Sequence, residues 1–312
     1  MNILDYVDWR GDLPMAASPF NEVDNLILSV LAYLNLDGVA PGDGDFSRTL
    51  GDLLTGYQDA GRDQSQLWPD LLPLLRKCAA SVRFGGVTAG YYRNLFDHDR
   101  QIQFSALTFR LPDETLYLAF RGTDNTLVGW REDCNFSYQT GTPGQRESAA
   151  YVSEVAATTH CPLRVGGHSK GGNFAVYGAS FCEQAAKDRI LQVYSNDGPG
   201  FNKTVAESAQ YGSVLSRLTK IIPESSLVGI LLSSRARSRV IQSDAKGVQQ
   251  HNPFSWQVWG TAFLPADQRS PSSLFMDEAL GRWVDTLDDE QRTTLVTTVF
   301  DAWEASGCMT LK

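Results

Sequence analysis

Apolar and polar positions along this chain follow two periods, one helical and one extended, and the pattern switches between them. Between residues 18 and 34 apolar side chains recur at Val23, Leu26, Ile27, Val30, Leu31 and Leu34, the spacing of a helix, with Ser18 or Asn21 placed to cap it. Residues 51–80 continue the helical pattern, with Trp68-Pro69-Asp70 opening a segment from Leu71 to Cys78. The character changes after residue 84. Stretches 103–109 and 115–120 read as strands joined by the turn Pro112-Asp113-Glu114, a hairpin entering a sheet. Thr142-Pro143 reads as the cap and first residue of a helix reaching about Ala157. Strands follow at 163–166, 190–195, 219–222 and 238–242, and two C-terminal helices at about 273–286 and 288–305 act as packing helices or part of a cap. Strands alternating with helices predict an α/β fold with a mostly parallel sheet covered on both faces. Ligands of such sheets lie at the carboxyl ends of the strands.

Composition narrows the class. The 312 residues are 42% hydrophobic and 20% charged, ordinary for a globular enzyme with a large core. One domain over 1–312 is expected, with the helical N-terminal part, 1–100, contributing a cap or lid. A net charge of -9 and a pI of about 5.0 argue against a nucleic-acid partner and fit solubility in a cytoplasm. The first eight residues have neither a positive region nor a long apolar core, so no signal peptide is expected. No stretch approaches the roughly 20 apolar residues of a membrane span; the longest apolar run is 227–232. Cys78, Cys134, Cys161, Cys182 and Cys308 are widely spaced and odd in number, which favours a reducing, cytoplasmic setting over a disulfide framework or a zinc site. With four histidines (His98, His160, His168 and His251), neither a metal centre nor a cofactor is expected. Oligomeric state is left open.

The chemistry concentrates in Gly167-His168-Ser169-Lys170-Gly171-Gly172-Asn173, which lies between a strand pattern and a helix pattern. This is the Gly-x-Ser-x-Gly spacing of a nucleophile elbow. A serine on a sharp strand-to-helix turn needs small residues two before and two after it, and the helix aims its first N–H groups at a developing oxyanion. A serine nucleophile needs a base, and the base needs an acid to orient it. After Ser169 the chain has one histidine, His251, which is the expected base; the alternative is an ordinary loop histidine. His168 is adjacent to the nucleophile and is expected to pack or orient. Asp197, in the turn Asn196-Asp197-Gly198-Pro199-Gly200, is the first choice of acid, although an Asx-type turn cap would also use it. Glu224 follows the next strand and is the alternative acid, ahead of Asp244. The oxyanion hole is expected to combine the N–H of Lys170 with Thr123, which follows the strand ending at Phe120.

Two families carry these motifs. Phe120-Arg121-Gly122-Thr123-Asp124, with Trp130 and Asp133, resembles the Phe-Arg-Gly-Ser/Thr segment of class 3 (fungal-type) lipases, and the elbow is similar to theirs. A closer resemblance is to a bacterial branch of the α/β hydrolases called Mbeg-like. It rests on Trp9-Arg10-Gly11-Asp12, Pro19-Phe20-Asn21-Glu22-Val23-Asp24, the elbow, Asn196-Asp197-Gly198-Pro199-Gly200-Phe201, and Gln250-His251-Asn252-Pro253-Phe254-Ser255-Trp256. The resemblance implies an α/β-hydrolase fold, a Ser169–Asp197–His251 triad, and Thr123 at the oxyanion hole.

The chain departs from the lipases at two places. Lys170 stands where they usually have Leu, and Ser225-Ser226-Leu227-Val228-Gly229 stands where their acid usually lies. The second departure strengthens Asp197 and weakens a triglyceride substrate. Lys170 has two readings: a clamp on Glu132 or Asp133, or a contact to an anionic substrate group. Phe254 and Trp256, beside His251, are the candidates for an apolar wall of an acyl pocket. The expected function is a serine hydrolase cleaving a small-molecule ester or thioester with a hydrophobic part. The alternatives are an acyltransferase using the same acyl-enzyme and a non-catalytic binding protein.

Overall fold

The computed structural model describes residues 1–62, 67–307 and 309–310. One sheet runs in chain order through β1 (Arg48–Thr49), β2 (Thr88–Asp97), β3 (Ile102–Arg110), β4 (Leu116–Phe120), β5 (Leu163–His168), β6 (Ile190–Asn196), β7 (Leu218–Pro223) and β8 (Ser238–Ile241). Neighbours pair antiparallel from β1 to β4 and parallel from β4 to β8. Helices α1 (Ile3–Arg10), α2 (Glu22–Leu31), α3 (Leu50–Asp59), α4 (Leu71–Ala80) and α5 (Val82–Gly85) precede β2. Between β4 and β5 lie α6 (Leu127–Asn135) and α7 (Pro143–Thr158), and between β5 and β6 lie α8 (Lys170–Phe181) and α9 (Gln184–Lys187). Then α10 (Lys203–Ala206) and α11 (Ala209–Val214) precede β7, and α12 (Pro271–Asp285) and α13 (Asp289–Ala305) follow β8.

Local chemistry accounts for these boundaries. Asn21 caps α2 through a reciprocal box with Asp24, and Thr142 caps α7 through one with Gln145, with Pro143 at the first helical position. Side chains in β4 alternate: Leu116, Leu118 and Phe120 join the core under α7 and α8, whereas Tyr117 and Ala119 join the core under the N-terminal helices. Both faces are therefore buried, as the sequence pattern predicts. The N-terminal helices form one of the two helical layers. Within that layer Asp24 and Arg83 are a fully buried ion pair, and Arg83 also donates to the Ser18 carbonyl at 2.9 Å. Breaking such a pair by removing one partner typically costs about 3–5 kcal/mol. Among the described residues no helix is long and apolar enough to cross a membrane.

Some elements escape the sequence pattern. In β2 the register shifts between Gly90 and Arg93, and Tyr91 has φ 52°, so the alternation is broken in mid-strand. Helix α1 is only 8 residues long, and α6 mixes Gly129 and Trp130 with a polar run, so neither shows a clear helical stripe. The helical expectation over 51–80 is met by α3 and α4, while 63–66 lie outside the described residues. A sheet of parallel strands flanked by helices, with an elbow serine at the end of β5, is the α/β-hydrolase fold.

Candidate active site

Ser169 joins β5 to α8 with φ 60° and ψ -133°, a conformation that a non-glycine residue holds at a cost of about 1–3 kcal/mol. The flanking glycines are dictated by contact. A Cβ on Gly167 would lie 2.3 Å from the Gly171 carbonyl carbon, and one on Gly171 would lie 2.0 Å from the Phe120 oxygen. Backbone bonds fix the elbow: Ser169 N–H donates to the Asn196 carbonyl at 3.0 Å, and Gly172 N–H to the Ser169 carbonyl at 2.8 Å. Asn173 braces the neighbouring turn by donating to the Gly200 carbonyl at 2.7 Å. From the N-terminal layer, Asn25 donates to Asn196 Oδ1 at 2.9 Å, and Asn196 donates to the Gly167 carbonyl at 3.1 Å. The ends of β5 and β6 are thereby tied to α2.

Asp197 follows β6 with φ 49°, is fully buried, and donates its N–H to the Ile221 carbonyl at 2.7 Å. Its Oδ1 accepts from Ser226 Oγ and, at 3.1 Å, from Gly229 N–H. Oδ2 is left to face His251 Nδ1 at 2.7 Å. Glu224 lies apart from this contact; its Oε1 accepts from Gln250 Nε2 at 3.4 Å. The stretch 225–229, where the lipase pattern would put its acid, instead supplies donors to Asp197. Nothing in the sequence pattern marks Ser226 or Gly229 for this role.

His168 is fully buried, and its Nε2 lies 2.9 Å from the His251 carbonyl oxygen. That partner is an acceptor, so Nε2 carries the proton and Nδ1 accepts from the Tyr33 hydroxyl at 3.0 Å. Burial, and then the neighbouring His251 charge, hold His168 well below the usual histidine range, so it stays neutral. The two imidazoles lie against each other, tilted by 33°, with centroids 4.6 Å apart. His251 is thus held by Asp197 at its ring and by His168 at its backbone. Among the described residues Ser169 Oγ has no hydrogen-bond partner.

Thr123 lies beside the elbow, since a Cβ on the preceding Gly122 would meet the His168 carbonyl oxygen at 2.8 Å. Its hydroxyl donates to Asp133 Oδ2. Burial lifts the Asp133 carboxyl to about 6, against the opposing pull of the Lys170 charge and the Thr123 hydrogen bond. Lys170 Nζ is buried and reaches Glu132 Oε2 at 3.3 Å and the Gly129 carbonyl at 3.4 Å. Its side chain therefore clamps α8 to α6, while its N–H is among the first of α8, which have no partner within the helix.

An apolar cleft of about 390 Å³ opens next to Asp133. Helix α6 contributes Trp130 and Asp133, the loop after Gly229 contributes Leu231 and Leu232, and α12 and α13 contribute Trp283, Leu295, Val299 and Trp303. Phe254 and Trp256 lie elsewhere. Trp256 is fully buried in the core, with Nε1 donating to the Gln250 carbonyl at 2.8 Å, and Phe254 packs edge-on to Trp68 at 5.9 Å. The 3₁₀ turn over Pro253–Ser255 turns both rings inward, so they pack in the core rather than line this cleft.

The sequence model of the Mbeg1-like family matches residues 78–301. Among curated proteins none matches the chain by sequence. Similar solved structures include a Rhizomucor miehei lipase in a propeptide complex, 17% identical, with 74% of this chain and 75% of that one covered and a TM-score of 0.42. A lipase from Rhizopus microsporus var. chinensis is 14% identical, with 74% of this chain and 82% of that one covered and a TM-score of 0.41. One from Yarrowia lipolytica is 14% identical, with 62% of this chain and 74% of that one covered and a TM-score of 0.38.

Proposed function

The chain belongs to the Mbeg1-like family, and from that premise and the geometry at the strand ends we propose that it is a serine hydrolase cleaving a carboxylic ester or thioester with a hydrophobic part. The observation that carries this reading is the 2.7 Å contact between Asp197 Oδ2 and His251 Nδ1, beside a serine held at φ 60°. Ser169 Oγ attacks the carbonyl carbon, and His251 Nε2 takes its proton. Asp197 keeps the ring oriented and balances the imidazolium charge. Negative charge on the carbonyl oxygen is met by the Lys170 N–H and by Thr123; removing one such donor typically costs about 10²–10³ in rate. His251 returns the proton to the leaving group, leaving an acyl-enzyme. Water activated by His251 then releases the acid.

The hydrophobic part has a seat in the cleft between α6 and the α12–α13 pair, which begins at the residue that holds Thr123. Its volume falls within the roughly 300–1,000 Å³ typical of small-ligand sites. A fluorophosphonate probe followed by intact mass tests the reading. One adduct on wild type, absent from Ser169→Ala and slowed in His251→Ala and Asp197→Asn, is expected. A folded wild type that takes no adduct refutes the hydrolase and leaves a binding protein.

A further inference from the structure

Lys220 lies in β7, only 5% exposed, and its ammonium has no hydrogen-bond or ion-pair partner among the described residues. Two more deeply buried cations have direct carboxylate partners: Lys170 faces Glu132 and Arg83 faces Asp24. Lys220 lines a cavity of about 360 Å³ between β7, β8, the loop after Gly229 and α12. Ser234, Ser238 and Arg269 line the same cavity. Asp277 also faces it and pairs with Arg269 at 2.8 Å, so Lys220 feels the Asp277 and Asp197 carboxylates from a distance but contacts neither.

We propose that this cavity binds a phosphate-type oxyanion, with Lys220 as the buried point charge, Arg269 as a second cation, and Ser234 and Ser238 as hydroxyl donors. An ammonium, a guanidinium and two hydroxyls converging on one small cavity suit a compact anion with several acceptor oxygens. Burial holds Lys220 down to about 8, with Asp197 and Asp277 pulling the other way and Arg269 adding to the fall. A bound anion would supply the direct contact that the ammonium lacks. Gly229 lines the cavity and also donates to Asp197, so an occupant braces the loop that holds the acid. The binding claim stands apart from the hydrolase reading.

Sulfate is the probe, because its charge is constant from pH 6 to 10. Titrated into the full chain against chloride of equal ionic strength, about ten times its Kd should raise the melting temperature by about 2–4 °C. Lys220→Met should abolish the shift, and the shift should shrink as pH rises through about 8. Lys220→Met removes a buried ammonium that no side chain contacts and so should fold. Ser238→Ala, in the cavity lining, gives a second reading as severalfold weaker binding. An equal shift with chloride, or an undiminished sulfate shift in Lys220→Met, overturns the proposal. Two sources are separated by hydrolysis. Sulfate that competes with a phosphate-bearing ester but not with a neutral one assigns the site to a substrate group. Sulfate binding that competes with neither assigns it to free phosphate.

Discussion

Replacing Lys170 with Met decides between its two readings. The ammonium and the Glu132 carboxylate are both fully buried, 3.3 Å apart. Glu132 has other donors: Gly144 N–H at 2.7 Å, Gln103 N–H at 3.1 Å and Thr142 Oγ1 at 3.2 Å. Methionine fills the space of the stem but leaves a buried carboxylate without its cation. Breaking a buried pair in this way typically costs about 3–5 kcal/mol. For a chain of this size each kcal/mol moves the melting temperature by about 2–4 °C, so a fall of about 6–20 °C is expected. Glu132→Gln also destabilises, because its amide turns a donor toward one of the existing N–H groups. The double variant loses less than the sum of the singles by at least about 1 kcal/mol. Thermal melts give the cost, and fluorophosphonate labelling below the transition gives the effect on the site. A melting temperature within about 2 °C of wild type, together with a raised KM for anionic esters, would refute the clamp and revive the substrate contact.

Three further outcomes follow from the same geometry. His168→Ala frees the His251 carbonyl, at a cost of about 1–3 kcal/mol, so labelling of Ser169 should slow about 10–100-fold and His168→Gln should recover part of it; wild-type labelling of folded His168→Ala would sink the positioning role. Asp133 has its folded value raised to about 6 from 3.8, so the folded state binds the extra proton first as pH falls. Its contribution to stability therefore declines as pH rises from about 4 to 6, and urea melts should show that decline in wild type but not in Asp133→Asn. In the cleft, each methylene that is buried should raise kcat/KM about fourfold across a series of p-nitrophenyl esters. Leu295→Glu should flatten that rise, and an unchanged slope would remove the cleft from acyl binding.

Ser169, Asp197, His251 and Thr123 can be named as candidates from the sequence because each closely follows a strand or lies in a short turn-rich motif. Strand ends are written locally, in alternation followed by Gly, Pro or Asn. The partner of Lys170 was legible only as one of two adjacent carboxylates, since the rotation of α6 about its axis decides which of Glu132 and Asp133 meets the ammonium. That rotation is set by packing against β3 and α13, far away in the chain.

Closeness in sequence misled where direction mattered. Phe254 and Trp256 sit three and five residues beyond His251, yet the 3₁₀ turn over Pro253–Ser255 points both rings into the core. The donors that saturate Asp197 Oδ1 come from 29 and 32 residues away, in a stretch remarkable in the sequence only for lacking an acid. These two facts have one cause. On the proposed reading an acid at the end of β6 leaves the β7 loop free of catalytic duty, and a free loop close by can supply the hydroxyl and N–H that a buried carboxylate needs. Seen this way, Ser226 and Gly229 compensate for the position of Asp197, so Ser226→Ala should weaken the orientation of His251 even though Ser226 touches neither His251 nor substrate.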